Sequence, residues 1–157
     1  MEFYVSQIQE NDKAVWMDLS YQADPWALDN NRPDIPESNW RRLMDEYDAL
    51  QGLALWVDDM LAGYILYSFN PCIKTAGDEC QIMDLFVAPE YRRQGGGSLL
   101  FEAVRAEAVQ KNAGRLRWWF NPNRPDSAGF YETRAVDFSD MQVFAGVWLE
   151  GKAKAAT

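Results

Sequence analysis

The 157-residue chain is 48% apolar and 14% aromatic, which is enough for a packed core and argues against a disordered protein. Its formal net charge of −9 opposes binding to nucleic acid or anionic membrane and would suit a cationic substrate. The chain has no histidine and only two cysteines, Cys72 and Cys80, which excludes Ser-His and Cys-His nucleophilic sites. We therefore expect no bound metal and two free thiols.

The N-terminal third predicts a strand and two helices. Residues 2–8 alternate apolar and polar side chains, as in a half-buried strand. The first helix runs from a cap at Asn11-Asp12 to about Gln22, and the second from Ser38 to about Ala49. Helical spacing places these side chains inward: Val15, Trp16 and Leu19 in the first helix, and Trp40, Leu43, Met44 and Tyr47 in the second. Residues 23–36, rich in Pro, Asp and Asn, predict an irregular loop.

The remaining chain predicts five strands and two helices. The strands are Leu53–Val57, Leu61–Phe69, Ile82–Val87, Leu116–Phe120 and at least one between Val136 and Leu149; the helices are Gly97–Asn112 and Ser127–Thr133. Gly63 inside a strand indicates a bulge or a close approach. The order is β α α β β β α β α β, with one βαβ crossover. We predict one α+β domain over residues 1–157, with a mixed, mostly antiparallel sheet flanked by helices.

The most informative segment is IMDLFVAPEYRRQGGGSLL, residues 82–100. It reads as a strand, a turn, a basic glycine-rich loop and a helix start, with Arg92, Gly95 and Gly97 in the spacing Arg-x-x-Gly-x-Gly. Such a loop directs backbone N–H groups and the positive end of the helix dipole at one point, which favours a bound pyrophosphate. The segment lacks the Gly-Lys-Ser/Thr ending of a P-loop and the acidic residue of a dinucleotide fold.

The run DLFVAPEYRRQGGGSLL resembles the acyl-CoA-binding motif of the GNAT superfamily of N-acetyltransferases. A second segment, SAGFYETRAV, is similar to the downstream tyrosine segment of that superfamily, and the element order agrees over most of the chain. Within the superfamily, GYILYSF and PDSAGFYETRAVDFSD look most similar to diamine acetyltransferase-like and small histone or polyamine acetyltransferase-like members. The resemblance implies a GNAT-like fold, acetyl-CoA as the acyl donor and a homodimer.

The resemblance also implies where acetyl-CoA binds. The strand end Leu85, Phe86 and Val87 would pair with the pantetheine amides and polarise the thioester carbonyl. The pyrophosphate would be held by Arg92, Arg93, Gln94, Gly95, Gly96, Gly97 and Ser98. The pantetheine arm or the adenosine would be contacted by Asn123, Arg124 and Ser127. Tyr131 matches the tyrosine that lies near the CoA sulfur in the superfamily.

Direct attack of an amine on a thioester needs no protein nucleophile, so a chain without histidine can catalyse it. The amine, with a reference pKa of about 10.4, must lose a proton, and Asp84 is the first candidate to accept it, with Glu79 as the second. The phenol of Tyr131 is a suitable acid for the departing thiolate. The alternative roles are structural: Asp84 would hold loop geometry, and Tyr131 would be an amphipathic core residue.

The acceptor site is predicted in the loop between the first two helices. Its acidic and aromatic side chains could bind a cationic amine by ion pairing and cation–π contact, and they are Tyr21, Asp24, Trp26 and Asp29. The sequence thus predicts a cytoplasmic N-acetyltransferase acting on a small primary amine such as a polyamine. A protein lysine or N-terminal amine is the alternative acceptor. The rival function is an acyl-CoA-binding sensor module. No secretory signal or membrane span is predicted.

Overall fold

The computed structural model describes residues 1–119, 129–131, 133–134 and 147–149. The chain divides into two compact units, Met1–Trp119 and Phe120–Thr157. The first unit contains β1 (Phe3–Gln7), α1 (Lys13–Ala23), α2 (Trp26–Asp29), α3 (Asp34–Met44), β2 (Gln51–Val57), β3 (Met60–Asn70), β4 (Glu79–Val87), α4 (Gly96–Gln110) and β5 (Arg115–Trp118). The prediction of one domain over residues 1–157 stays a prediction.

The five strands form one sheet in the order β1-β2-β3-β4-β5. The first three pairings are antiparallel, and β4 pairs with β5 in parallel. A parallel pair needs a crossover connection, which α4 supplies. The predicted α+β class and the βαβ crossover through the glycine loop are therefore confirmed. Among the described residues, no helix has both the length and the apolar character needed to cross a membrane.

Helices cover both faces of the sheet. On one face, the buried side chains of Trp16 from α1 and Trp40 from α3 pack with Ala54 and Tyr64 in a single cluster. On the other face, α4 buries Leu100, Phe101, Val104 and Ala108, as predicted. Leu55, next to Ala54 in β2, lies directly under the start of α4. Alternation along the strand thus separates an α1/α3 face from an α4 face.

Two irregularities shape the middle of the sheet. The first is at Gly63, where an added Cβ would lie 2.4 Å from the carbonyl oxygen of Phe86, so the predicted close approach is confirmed. The second is a bulge in β4: Leu66 pairs with Asp84 but Tyr67 pairs with Ile82, which leaves Met83 as an extra residue. Because one extra residue reverses the alternation of side chains, Ile82 stays on the α4 face and Asp84 moves to the α1/α3 face.

The predicted second helix was wrong at both ends. α3 begins at Asp34, four residues earlier than expected, because Pro33 and Pro36 occupy its cap and first turn, where no intrahelical N–H donor is required. It ends at Met44, because the carboxylates of Asp45 and Asp48 accept backbone N–H groups in two successive turns.

Short helical structure was also missed in the predicted loop, where α2 spans Trp26–Asp29. Two of the side chains predicted to face inward are exposed instead. Val15 is 48% exposed, whereas its neighbour Trp16 is buried, and Tyr47, 89% exposed, lies beyond the end of α3. Trp16 and Leu19, which were also predicted to face inward, are buried, so Val15 is the residue of that face that was predicted wrongly.

Candidate active site

The candidate site lies where the pairing between β4 and β5 ends. The β4–β5 pairing covers only Glu79–Ile82 of β4, against Arg115–Trp118. Of the following β4 residues, Met83 is the extra residue of the bulge, and residues 84–87 pair with β3 on one side and with no other strand in the described part of the chain. Among the described residues, one edge of this half-strand is therefore unpaired, which is what binding of an extended ligand requires.

Backbone groups at the end of β4 alternate between the two edges. The N–H of Ala88 donates a hydrogen bond of 2.8 Å to the carbonyl oxygen of Ala62 in β3. Because successive residues of a strand point their backbone groups to opposite sides, those of Leu85 and Val87 face away from β3. The carbonyl oxygen of Val87 accepts a hydrogen bond of 2.7 Å from Nε of Arg92. The arginine therefore ties the glycine-rich loop to the end of the strand.

The glycine-rich loop has the backbone shape that its glycines allow. Gly95, the N-cap of α4, has φ 92°, and Arg93 has φ 59°, so both lie in the left-handed region. An added Cβ at Gly96 would lie 2.5 Å from a methyl carbon of Leu55, so α4 begins in close contact with the sheet. The first backbone bond at this end joins Leu99 N–H to Gly95 oxygen. The amides of Gly96 and Gly97 precede it, at the positive end of the helix dipole.

Most of the residues predicted to bind acetyl-CoA therefore form one continuous surface: the open edge of β4 and the loop that follows it. Leu85 and Val87 present backbone groups at that edge, whereas the backbone groups of Phe86 face β3 and its side chain is buried against Tyr64, 6.1 Å between ring centroids. Arg92, Arg93, Gln94 and Gly95 are exposed, while Gly96 is buried. The predicted sites Asn123, Arg124 and Ser127 lie outside the described residues.

Asp84 is the partly buried carboxylate of this half-strand. Its Oδ2 accepts a hydrogen bond of 2.7 Å from the hydroxyl of Tyr64. Burial raises the pKa of the Asp84 carboxyl, and the negative charge of Asp24 adds to this, whereas the bonds from Tyr64 and from the Leu85 amide act in the opposite direction. The net rise makes Asp84 a stronger base than an ordinary surface aspartate.

A chain of aromatic rings fixes the position of Tyr64. Trp40 packs on Trp16 and Trp16 packs on Tyr64, with ring centroids 5.4 and 5.8 Å apart. The Tyr64 ring is 1% exposed. Burial and the Asp84 carboxylate both raise the pKa of the Tyr64 phenol, so it stays protonated and acts as a donor. From the sequence, Tyr64 was predicted only to be part of a strand, because the bulge that brings Asp84 beside it has no clear sequence signal.

A cleft of about 730 Å³ opens on the α1/α3 face beside Asp84. Its lining includes polar and charged side chains from α1, α3, β3 and the α3–β2 connection, namely Asp24, Asn39, Arg42, Asp48, Ser68 and Asn70. Of the four predicted acceptor-binding residues, Asp24 lines this cleft together with Asp84. The other three, Tyr21, Trp26 and Asp29, are not part of its lining. Arg42, Asn39 and Ser68 were not identified from the sequence, because helical and strand spacing alone does not show which polar residues share a cleft.

Glu79, the second candidate base, is held differently. Its side chain is 6% exposed, and its two oxygens each lie 2.7 Å from a guanidinium nitrogen, Nε of Arg115 and Nη2 of Arg117. Both oxygens are therefore engaged by cations of β5. A carboxylate in this arrangement joins two strands and has no oxygen directed at a substrate.

Tyr131 belongs to the second unit. Residues 129–131 are helical, and the Tyr131 carbonyl oxygen accepts a hydrogen bond of 3.2 Å from the Arg134 N–H. The Tyr131 ring meets Phe130 edge to face, with centroids 5.2 Å apart. The side chain is half-buried. Its predicted role as the acid for the thiolate stays a prediction.

Comparison with known proteins identifies the family. The model of the acetyltransferase (GNAT) family matches residues 14–138. The chain belongs to this family. L-Ornithine N5-acetyltransferase NATA1 of Arabidopsis thaliana is 35% identical over 75 residues, which cover 48% of this chain and 33% of that protein. The match therefore spans about a third of the length of this relative.

Solved structures show the same fold. The ribosomal-protein-alanine N-acetyltransferase of Brucella melitensis biovar Abortus 2308 has a TM-score of 0.74 at 17% identity, over 94% of this chain and 100% of that one. AAC(6')-Iy, in complex with the bisubstrate analogue CoA-S-monomethyl-acetylneamine, has a TM-score of 0.75 at 16% identity, over 94% of this chain and 99% of that one. The predicted GNAT-like fold is confirmed.

Proposed function

We propose that this GNAT chain is an acetyl-CoA-dependent N-acetyltransferase, which moves an acetyl group to a primary amine by direct attack in a ternary complex. The proposal rests on the position of the Asp84 carboxylate. A carboxylate of raised pKa lies in a cleft, on the half of β4 whose other edge is open. Transfer between two bound substrates requires a base beside the amine and an edge that binds the extended donor. This half-strand offers a candidate for each.

The proposed reaction uses few protein groups. The neutral amine nitrogen attacks the thioester carbon, a C–N bond forms, and the C–S bond then breaks, releasing the thiolate of CoA. The proton lost by the amine goes to Asp84, directly or through a water. The thiolate takes a proton from a nearby acid, and Tyr131 is our candidate for that acid. The products are an N-acetylated amine and CoA.

The residues present fit the donor. The amides of Gly96 and Gly97 belong to the first turn of α4, at the positive end of its dipole, and the exposed side chain of Arg93 lies in the loop just before it. No atom of the described residues lies within 4 Å of the position that a Cβ at Gly95 would take, which leaves room beside the loop. The Val87 carbonyl oxygen accepts from Arg92 and the Leu85 N–H bonds Asp84, so the Val87 N–H and the Leu85 carbonyl oxygen are the edge groups that would pair with the amides of the pantetheine arm.

A small amine is the acceptor that the cleft supports best. Its walls carry the carboxylates of Asp24 and Asp84, which would attract a cation, and a cavity of about 730 Å³ is the size of a small-molecule site. NATA1 is named for ornithine and AAC(6')-Iy is an acetyltransferase bound to an acetylneamine analogue, both small-amine chemistries. A protein lysine or N-terminal amine remains the alternative acceptor. A cytoplasmic location and a homodimer remain sequence predictions.

Release of free thiol from acetyl-CoA tests this proposal. The assay uses a panel of small amines and a lysine-containing peptide, with wild type, Tyr131→Phe and the surface control Tyr4→Phe. We expect turnover with small amines, and a roughly 100-fold or greater loss in Tyr131→Phe if Tyr131 is the acid, with unchanged CoA affinity. Tyr4→Phe should match wild type.

Two results would change the conclusion. Turnover with peptide but with no small amine would favour the protein-acceptor alternative. CoA binding without release for any amine would mean that the chain is a sensor module, and the proposed function would be wrong. Full activity in Tyr131→Phe would remove only the role given to Tyr131.

A further inference from the structure

The two neighbouring arginines of the glycine-rich loop have different surroundings. The Nε of Arg92 donates a hydrogen bond of 2.7 Å to the carbonyl oxygen of Val87, and its guanidinium carbon lies 5.3 Å from the centroid of the Phe86 ring. Arg93 is exposed and makes no hydrogen bond or ion pair within the described part of the chain. Arg92 therefore contacts the end of β4, whereas the Arg93 guanidinium can meet an anion at the start of α4.

The Arg92 side chain makes two contacts of different kinds. The Val87 carbonyl oxygen faces the unpaired edge of the sheet, and the Phe86 ring lies on the α1/α3 face in the cluster that contains Tyr64. The guanidinium thus lies where the unpaired edge meets the α1/α3 face. α4 begins over the other face, beside Leu55. Both contacts direct the Arg92 side chain to the strand end and away from the first turn of α4.

The unpaired edge ends in four backbone groups, which are the N–H and the carbonyl oxygen of Leu85 and those of Val87. Two of them already have a partner: the Leu85 N–H bonds Asp84, and the Val87 carbonyl oxygen bonds Arg92. The described residues leave the Leu85 carbonyl oxygen and the Val87 N–H to a ligand. These two groups flank Phe86 and are the acceptor and the donor that a parallel neighbouring strand would use.

We propose that Arg92 is a positioning residue for the acyl donor: by occupying the Val87 carbonyl oxygen, it leaves one acceptor and one donor at the edge and so sets the register of the donor's extended arm on β4. The inference rests on the proposed function, since it concerns the donor of that reaction. Equivalent edge groups recur every two residues, which is about 7 Å. A slip of that length would remove the thioester carbon from the amine, because reacting atoms must lie about 3 to 3.5 Å apart.

This role divides the work of binding between the two arginines. The resemblance to the superfamily implies that both of them hold the pyrophosphate. The proposal leaves that task to Arg93 and the amides of Gly96 and Gly97. Arg92 acts instead on the pantetheine arm, through the backbone of Val87.

Two substitutions of equal length separate the hydrogen bond of Arg92 from its charge. In Arg92→Gln the amide nitrogen occupies the same position along the side chain as Nε, so the donor to Val87 is kept and the charge is lost. Arg92→Met keeps the length and loses both. We expect Arg92→Met to weaken CoA binding roughly 10-fold and Arg92→Gln to stay within about threefold of wild type. Calorimetric titration with CoA measures both without any need for turnover.

A second donor separates the arm from the pyrophosphate. S-Acetylpantetheine has the thioester and the amides of acetyl-CoA but lacks the pyrophosphate and the adenosine. With the best amine of the panel, Arg92→Met should lower kcat/KM roughly 10-fold for both donors. Arg93→Gln should lower it roughly 10-fold for acetyl-CoA and much less for S-acetylpantetheine. The control is Arg105→Gln, on the exposed surface of α4, which should match wild type with both donors.

Equal losses in Arg92→Gln and Arg92→Met, confined to acetyl-CoA, would show that Arg92 binds phosphate and would overturn the inference. Wild-type kinetics of Arg92→Met with both donors, with only its free energy of unfolding lowered, would show a structural role and would overturn it as well. If wild type binds CoA but acetylates no amine, the proposed function fails. The calorimetric comparison of the two Arg92 variants still decides the inference in that case, so the two failures are distinguishable.

Discussion

The two halves of β4 each carry a carboxylate, and the structure treats the two groups in opposite ways. In the first half, Glu79 is buried and lies between the guanidinium groups of Arg115 and Arg117. In the second half, Asp84 receives a neutral hydroxyl from Tyr64, and its pKa is raised by burial. Both side chains are acidic and lie five positions apart in one strand.

The difference comes from the neighbouring strand. Both arginines belong to β5, which pairs with β4 only as far as Ile82. Beyond that point the described part of the chain places no cation on Asp84, and a bulge turns this residue to the α1/α3 face. The two carboxylates therefore differ in their partners because the neighbouring strand ends between them. The predictions below test whether Asp84 has the chemical role proposed for it and Glu79 a structural one.

Asp84→Asn should have the largest effect. Removing the base should lower kcat/KM about 100- to 10,000-fold, since general base catalysis contributes this much. The amide keeps the shape of the side chain and can still accept the Tyr64 hydrogen bond, so CoA affinity and folding should be retained. Steady-state thiol release and calorimetric titration with CoA check the two expectations.

The matched control is Asp78→Asn, an exposed aspartate just before β4. It should keep wild-type kcat/KM. If Asp84→Asn stays within tenfold of wild type for the best amine, Asp84 is not the base and the alternative structural role, holding local geometry, is correct.

Glu79→Gln should affect stability far more than chemistry. Removing one partner of a buried ion pair leaves the two arginines without their counter-charge and should lower the free energy of unfolding by about 3 kcal/mol. Activity per folded molecule should be close to that of wild type. Urea denaturation followed by fluorescence gives the first quantity, and an assay below the unfolding transition gives the second.

Glu102→Gln is the comparison variant, because Glu102 pairs with Arg105 on the exposed surface of α4. Its free energy of unfolding should change by less than about 1 kcal/mol. A loss of kcat in Glu79→Gln as large as in Asp84→Asn, at full folding, would contradict the separation of the two halves of β4.

Much of this architecture follows from the sequence. Strand alternation in residues 2–8 and helical spacing in α4 depend on neighbours along the chain, so β1 and the buried face of α4 were predicted correctly. Local backbone geometry requires the glycines of the loop, so the loop could also be predicted from the sequence. The start of α3 was missed because proline is common both in loops and in the first turn of a helix, so Pro33 and Pro36 are compatible with either structure.

The acceptor side of the site depends on contacts between distant residues. Asp84 reaches Tyr64 only because Met83 is an extra residue in β4, and no residue type there marks a bulge. Asp24 was identified from its loop composition, and it lines the cleft, but Trp26 from the same segment does not. Arg42 and Asp48 were missed because their meeting depends on where α3 ends.

The smallest expected effect is that of removing the Tyr64 hydroxyl, which tests its contribution to the pKa of Asp84. Tyr64→Phe keeps the ring in its aromatic cluster and removes the donor that stabilises the charged form of Asp84. The pKa of the Asp84 carboxyl should therefore rise further above its usual range, because a lost hydrogen bond to the anion favours protonation. NMR titration of the carboxyl carbon of Asp84 measures the shift directly.

Tyr4→Phe removes a similar hydroxyl from Asp59 on the exposed surface and should leave the Asp84 titration unchanged. If Tyr64→Phe lowers the pKa of Asp84 or leaves it unmoved, the hydroxyl does not stabilise this carboxylate, and its pKa is set by burial, the Leu85 amide and the Asp24 charge.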